Sequence, residues 1–175
     1  MSDNGQYDFI GRTSVNFGIQ GNLDKLDFEP NPKDSFSLVQ VGETIALWRE
    51  KEWYASQNIF LLNPKFNCIK ENFLYFQGAI NKEMTLYGSD YNSYPTMKSL
   101  AITYITLPTL DELDENSPYS EEGFVPDFEY MQERIEELER ERIEELEHYL
   151  VATGLNDYEL TDEDIKTLSL SGFGD

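Results

Sequence analysis

The stretch SFSLVQVGETIALW, Ser35 to Trp48, decides the fold of the first part of the chain. It is rich in aromatic and β-branched residues and is interrupted by Gly42, a composition that is typical of strands and turns. The earlier stretch QYDFIGRTSVNFGIQ, residues 6–20, has the same character, with Gly11 and Gly18 as its interruptions. Because helical periodicity is weak in both stretches, they predict a β-rich body.

Three further runs extend this prediction. NIFLL (58–62), NFLYFQGAI (72–80) and LAITYITL (100–107) supply three more strands, and prolines fall between the runs, where a missing N–H does no harm. TIALW and WYASQ predict a hairpin with charged residues 49–52 at its tip. We therefore expect an α+β chain whose residues 1–107 form a small antiparallel β sandwich or barrel.

Part of the run NFLYFQGAI also has a second interpretation. LYFQG, residues 74–78, resembles the recognition sequence of a tobacco-etch-virus-type protease, which would mark an added segment to be excluded from the fold. Asn72, however, stands where that protease prefers Glu, and the strand pattern continues on both sides. We interpret the segment as a natural strand.

A loop rich in tyrosine follows. YGSDYNSYPTM, residues 87–97, places Tyr87, Tyr91 and Tyr94 among turn-forming residues. Tyrosine offers a large contact area at a low entropy cost, so these three side chains are candidates for contact with a partner. The alternative is that they fold back onto the β-rich body.

Charge divides the chain unevenly. Residues 1–107 carry 12 acidic and nine basic side chains, a net charge of −3, whereas residues 108–175 carry 22 acidic and four basic ones, a net charge of −18. This asymmetry predicts three parts: a nearly neutral body (1–107), an acidic linker (108–124) and an acidic helical arm (125–175).

The arm contains one long predicted helix. Proline suits the first helical position and glycine suits the stop, so Pro126 and Gly154 bound a helix of about 28 residues, roughly 42 Å long. Within it, ERIEELERERIEELEH (133–148) repeats an eight-residue block. A coiled coil requires a repeat near seven, and eight residues rotate the apolar stripe by about 80° per copy. The repeat therefore predicts a broad, interrupted face rather than a zipper.

Two faces of this helix are predicted to bind partners. The apolar face must be buried against the body or another chain; it comprises Phe128, Met131, Ile135, Leu138, Leu146 and Leu150. The acidic face is predicted to contact a basic surface; it comprises Glu133, Glu136, Glu137, Glu141, Glu144 and Glu145. Two alternatives for the acidic face are imitation of a nucleic acid and simple solvation.

A short second helix is expected after residue 160. Thr161 can cap the N–H of Asp164, while Leu160 and Ile165 form a hydrophobic staple. The acidic residues 162–164 satisfy the helix dipole, and no calcium-loop motif surrounds them.

The sequence contains none of the common catalytic motifs. It has no Gly-rich phosphate loop, no Cys/His metal spacing and no plausible serine–histidine pair, which predicts a non-enzymatic protein without cofactor or metal. Cys68, the single cysteine, is predicted to be a half-buried strand residue. His148, the single histidine, is predicted to be solvated. The alternative activity is that of a carboxylate-based hydrolase in the β-rich body.

These features together predict a structural or adaptor subunit of a multi-protein assembly, such as a virus or phage particle. Its partner would be a protein with a basic surface, in a homo- or hetero-oligomer. Direct nucleic-acid binding is disfavoured because phosphate contacts need clustered Lys or Arg, and the mimic of a nucleic acid is the alternative function. No apolar run approaches the roughly 18 residues that cross a bilayer and no signal pattern is present, so we expect a soluble, intracellular or virion protein.

Overall fold

The computed structural model describes residues 5–65, 68–88 and 93–155, and the chain divides into two compact units between Ile135 and Glu136. Within the described residues the first unit is a mixed α+β structure with two three-stranded sheets. The predicted helix at 161 and beyond lies outside the described residues. No helix in the described ranges is both long enough and apolar enough to cross a membrane.

The first sheet has the order β2-β1-β5. Its central strand β1 (Tyr7–Ile10) pairs antiparallel with β2 (Ile19–Leu23) and parallel with β5 (Trp53–Ala55). The stretch QYDFIGRTSVNFGIQ therefore forms two neighbouring strands joined by a turn. The parallel pair β1–β5 brings the carboxyl ends of two strands to the same edge of the sheet.

The second sheet has the order β4-β3-β6 and is antiparallel throughout. Its central strand β3 (Ser35–Val39) pairs with β4 (Ala46–Arg49) and β6 (Ile59–Leu62). Every residue of β3 is buried, so both of its faces are covered. On one face Phe36 packs with the helix residues Phe73 and Phe76.

The other face of this sheet carries polar side chains and lies against the first sheet. The Trp53 indole donates a hydrogen bond to the Ser35 hydroxyl (3.0 Å), and Arg49 donates two to the Ser37 hydroxyl (2.9 and 2.7 Å). Serine is small enough to let the strands approach closely, and the hydroxyls of Ser35 and Ser37 both have hydrogen-bond partners.

Helix α1 (Lys70–Met84) covers the apolar face of the second sheet. Its buried residues Phe73, Phe76 and Met84, with half-buried Ile80, recur at helical spacing and form one stripe. The sequence LYFQG lies inside this helix, and Phe76 within it belongs to the core.

Several predictions for the body are wrong in detail. NFLYFQGAI forms α1 and not a strand, because its apolar residues face one sheet at helical spacing. LAITYITL begins in the short helix α2 (Met97–Leu100) and continues without a strand. The hairpin of TIALW and WYASQ does not form, since β4 and β5 belong to different sheets.

The mixed α+β class and the C-terminal helix are confirmed, whereas a closed antiparallel sandwich or barrel is not. The first sheet contains a parallel pair, and α1 instead of a third layer of strands covers the apolar face of the second sheet. NIFLL and SFSLV do form strands, as β6 and β3.

Helix α3 (Phe128–Thr153) begins and ends with local signals. Its cap is Asp127, whose carboxylate accepts a hydrogen bond from the Tyr130 N–H (2.9 Å), so Pro126 precedes the cap and is not the first helical residue. At the other end Gly154 has φ +70°, and the Leu155 N–H donates to the Leu150 carbonyl (2.9 Å). This is the left-handed stop expected of a glycine.

The acidic segment before α3 is a loop whose two ends are hydrogen-bonded to each other. Thr109 forms an antiparallel bridge with Pro126, and the Asp127 N–H donates to the Pro108 carbonyl (3.0 Å). The predicted division into body, linker and arm at 107/108 and 124/125 stays a prediction.

Candidate nucleic-acid interface

A polar cleft of about 320 Å³ opens where several strands of the first unit end. Arg12 lies two residues after the end of β1, Ser56 and Gln57 directly follow β5, and Gln20 projects from β2. Because β1 and β5 are parallel, their carboxyl ends meet at this edge. Val41, after β3, completes the lining.

The cleft is anchored by backbone hydrogen bonds while its side chains remain accessible. The Ser56 N–H donates to the Ile10 carbonyl (2.8 Å), and the Gln40 N–H donates to the Asn58 carbonyl (3.0 Å). Arg12, Gln20 and Gln57 are exposed. A guanidinium offers five donors, and each glutamine amide offers donors and acceptors, so the cleft can bind a planar polar edge.

Gly11 leaves room for one of these side chains. A Cβ placed on Gly11 would overlap the side-chain amide of Gln20. The absence of a side chain at residue 11 therefore allows Gln20 to lie across the start of the turn.

The turn beside the cleft, which we call the Phe17 turn (Thr13–Gly18), has an unusual backbone. Asn16 (φ 50°, ψ 43°) and Phe17 (φ 54°, ψ 28°) are both left-handed, and Gly18 follows at φ +75°. Asparagine and glycine tolerate this region, but a bulky residue such as phenylalanine rarely adopts it. The Phe17 side chain is nevertheless 71% exposed, so burial of its ring does not explain the conformation.

Hydrogen bonds hold the Phe17 turn in place. The Gly11 N–H donates to the Gly18 carbonyl (2.8 Å), and Arg49 donates through Nη1 to the Phe17 carbonyl (2.7 Å). Arg49 is only 5% exposed. Burial lowers its pKa to about 10, and the negative charge of Asp8 opposes that shift. The guanidinium remains charged at neutral pH and links β4 to the turn.

A second cavity of about 410 Å³ is apolar. It lies between β6, α1 and the segment that contains Ile105 and Leu107, with Phe36 and Phe76 in its walls. It has the character of incompletely filled core rather than of a polar recognition site.

The predicted tyrosine site is only partly described. The Tyr87 hydroxyl is 3.0 Å from the Thr103 hydroxyl, and its ring packs against the core cluster of Leu38 and Met84, as in the alternative reading. Tyr94 is half-buried, and Tyr91 lies outside the described residues. A binding role for the three stays a prediction.

The predicted apolar face of α3 is covered at its start. Met131 is fully buried in the body's core, where Phe128 packs against Phe76 and Tyr119, and Ile135 is half-buried. In the second unit Leu150 is half-buried, while Leu138 and Leu146 are exposed, Leu146 to 56%.

The six residues of the predicted acidic face all lie on α3 and are exposed: Glu133, Glu136, Glu137, Glu141, Glu144 and Glu145. Their role as partner contacts stays a prediction, as does that of the apolar face.

Neither the single cysteine nor the single histidine belongs to the residues that line the cleft. Cys68 is half-buried just before α1, not in a strand as predicted, and burial raises the pKa of its thiol to about 11. A thiol with a raised pKa is a poor nucleophile at neutral pH. His148 is exposed on α3.

The chain resembles known proteins of one class. Residues 1–148 match the family model of the type I restriction modification DNA specificity domain. Among solved structures, the S subunit of a type I restriction-modification system from M. genitalium is 15% identical, with a TM-score of 0.47. The alignment covers 87% of this chain and 36% of that subunit, so the chain spans about a third of its length. No curated protein sequence matches this chain.

The family match corrects the functional predictions. A family of DNA specificity domains contradicts the adaptor subunit of a virus or phage particle, the nucleic-acid mimic and the hydrolase in the β-rich body. It also contradicts the prediction of no direct nucleic-acid binding. That prediction relied on the acidic net charge and the lack of clustered Lys or Arg. It was wrong because base recognition depends on a few local side chains and not on the sum of charges over the chain.

The residues of the cleft and of the Phe17 turn were missed by the sequence reasoning. Arg12, Gln20 and Gln57 stand in separate runs, and no spacing rule joins them before the parallel pair β1–β5 is known. One signal was available for the turn: RTSVNFG (12–18) places an aromatic residue between turn-forming ones.

Proposed function

The chain belongs to the family of type I restriction-modification DNA specificity domains, and on that premise we propose that it recognises a short sequence in duplex DNA without catalysing a reaction. The observation that carries the proposal is the family match over residues 1–148, which includes the whole first unit. The chemical step of modification or cleavage belongs to other subunits.

The polar cleft is the surface that reads the bases. Arginine and glutamine are the side chains that pair with guanine and adenine edges, and both kinds line the cleft, as Arg12, Gln20 and Gln57. The rigid strand ends fix where these side chains begin, while their exposed ends are free to adjust to a base edge.

The charge balance implies that other subunits supply part of the affinity. Phosphate contacts dominate the strength of DNA binding, yet residues 1–107 carry a net charge of −3. Type I S subunits assemble with restriction and methylase subunits. We expect this domain to supply sequence selection and those subunits to supply much of the electrostatic attraction.

The predicted binding faces of α3 fit the same assembly. Leu138 and Leu146 are exposed apolar residues on a helix, and such residues gain stability when another subunit covers them. The exposed glutamates of α3 have no part in binding DNA, because they would repel phosphates.

The test begins with selection of duplexes from a random-sequence pool by the full chain at low salt. One short sequence should be enriched. Arg12→Gln should weaken binding to the enriched duplex about tenfold or more, since a good bidentate base contact contributes about 1–3 kcal/mol. Arg12→Lys keeps the charge but loses the planar fork, so it should restore little of the loss.

The matched control is Arg140→Gln, which removes the same charge from an exposed residue of α3. It should bind the enriched duplex as well as the wild type does. If no sequence is enriched, or if both substitutions weaken binding equally, sequence recognition through the cleft is wrong.

A further inference from the structure

We propose that the Phe17 turn is a wedge: the ring of Phe17 inserts between two neighbouring base pairs at the edge of the sequence that the cleft reads. This inference rests on the proposed function and adds a contact that the polar cleft does not supply. The turn is part of the same edge of the first unit, since Arg12 of the cleft directly precedes it.

The first argument is the exposure of apolar side chains at the tip. Val15 is 75% exposed and Phe17 is 71% exposed. Apolar side chains that project beside polar base-reading groups are the arrangement with which DNA-bending proteins unstack a base step. Arg12, Gln20 and Gln57 are the polar groups here.

The second argument is the backbone of the turn. Phe17 adopts a left-handed conformation that asparagine or glycine would adopt more easily, and its side chain nevertheless stays 71% exposed. Strain of this kind persists where the surroundings enforce it, and it concentrates at functional sites. A phenylalanine at this position is therefore better explained by a contact outside the chain than by folding.

The third argument is the rigidity of the support. Arg49 is buried and donates to the Phe17 carbonyl, while its other hydrogen bonds go to Ser37 in the middle of β3. The Gly11–Gly18 hydrogen bond closes the base of the turn. A wedge must resist displacement when it separates stacked bases, and these contacts tie the turn to the core of the second sheet.

The fourth argument concerns the kind of partner. A protein-binding loop would be expected in an apolar surrounding, but four of the five residues that line the adjacent cleft are polar. Arg12, which is exposed and directly precedes the turn, also places a positive charge beside it, which favours the approach of a polyanion. Both features favour DNA over a protein surface.

The experiment uses the full chain and the duplex most enriched by the wild type from the random-sequence pool. Each adenine of the enriched sequence and its flanks is replaced in turn by 2-aminopurine, whose fluorescence rises when it is unstacked. Wild type should raise the fluorescence at one step. Phe17→Ala should abolish that rise and bind about tenfold more weakly, the size expected for loss of an aromatic–base stack.

Two further variants and a control separate insertion from a structural role. Phe17→Trp keeps a flat ring and should retain the fluorescence rise. Phe17→Gly relieves the backbone strain, so its melting temperature should not fall although DNA unstacking is lost. Phe124→Ala removes another exposed phenylalanine of the first unit, outside the cleft lining, and should behave as wild type.

The outcomes distinguish the two proposals. If no duplex is enriched, sequence recognition itself is wrong and the wedge with it. If a duplex is enriched but no position brightens, or if Phe17→Ala binds it normally, recognition stands and the wedge is overturned. A Phe17→Ala variant that binds DNA normally but loses the methylase subunit would assign the turn to a protein contact, which also overturns the wedge.

Discussion

Arg49 illustrates how one side chain joins the strands to the candidate interface. It is a buried cation whose hydrogen bonds go to neutral oxygens, the Ser37 hydroxyl and the Phe17 carbonyl. Burial of a charge without a paired carboxylate opposes folding, and this is why its pKa falls to about 10. The hydrogen bond to the Phe17 carbonyl shows what this buried charge positions, namely the Phe17 turn.

Cys68 provides a prediction at the same scale. Burial raises the pKa of its thiol from 9.0 to about 11, with the charge of Asp34 adding to the shift. At pH 8 the folded protein should therefore contain about a hundredfold less thiolate than the unfolded chain, because each pKa unit is a factor of ten. Labelling by a disulfide reagent at pH 8 should therefore be slower in the native protein than in denaturant.

The raised pKa of Cys68 also makes the free energy of unfolding depend on pH. The folded state favours the neutral thiol. The stabilisation that results is fully present below pH 9, and it is lost as the pH rises towards 11. Cys68→Ala should make the stability less dependent on pH in that interval. Equal labelling rates in the folded and unfolded protein would show that the thiol is not shielded.

At the scale of elements, α1 substitutes for a missing strand beside β4. The Asn81 side chain accepts a hydrogen bond from the Ala46 N–H (2.7 Å) and donates to the Ala46 carbonyl (2.9 Å). One turn earlier, Gln77 accepts from the Trp48 N–H (2.7 Å). Edge strands expose unpaired backbone groups, and these two amides satisfy those of β4 from a helix.

Asn81→Ala should destabilise the protein by about 1–3 kcal/mol, because it leaves the partly buried Ala46 N–H and carbonyl without these partners. The free energy of unfolding is measured by urea titration. Lys82→Ala, an exposed neighbour on the same helix, is the control and should change it by less than about 0.5 kcal/mol. A similar loss in both variants would contradict the role assigned to Asn81.

The elements also show what the sequence can predict. Helix α3 was predictable because its signals are local: a proline and an aspartate at its start and a glycine at its stop. Strands β3 and β6 were predictable from their composition. The run that became α1 was not, because its aromatic content resembles a strand and its helical spacing matters only once a sheet is known to lie beside it.

The pairing of the strands could not be predicted from the local sequence, for a different reason. β4 and β5 are separated by three residues, so a hairpin was the natural expectation, yet each joins another sheet. The choice depends on distant partners, Ser35–Val39 for β4 and Tyr7–Ile10 for β5. The cleft exists only because of that second pairing, so its residues could not be grouped from the sequence.

At the scale of the whole molecule, the position of the charge matters more than its total. The net charge of −21 includes −18 in residues 108–175. The polar cleft lies entirely within residues 12–57, in the nearly neutral part. The total charge should therefore slow the approach to DNA without removing the recognition surface.

This separation leads to a prediction about association rates. Replacement of Glu136, Glu137, Glu144 and Glu145 by Gln removes four negative charges and should speed association with the enriched duplex at low salt. The gain should shrink as salt rises, because the screening length falls from about 30 Å at 0.01 M to about 10 Å at 0.1 M. Stopped-flow fluorescence over that range measures the effect.

The charge-conserving replacement of the same four residues by Asp is the control and should leave the rate unchanged. The rate of dissociation and the enriched sequence should also be the same in the Gln variant, since long-range charge acts on encounter and the cleft acts on selection. A changed sequence preference would mean that the glutamates of α3 take part in recognition. A gain that persists at high salt would mean that the substitutions act through local structure and not through charge.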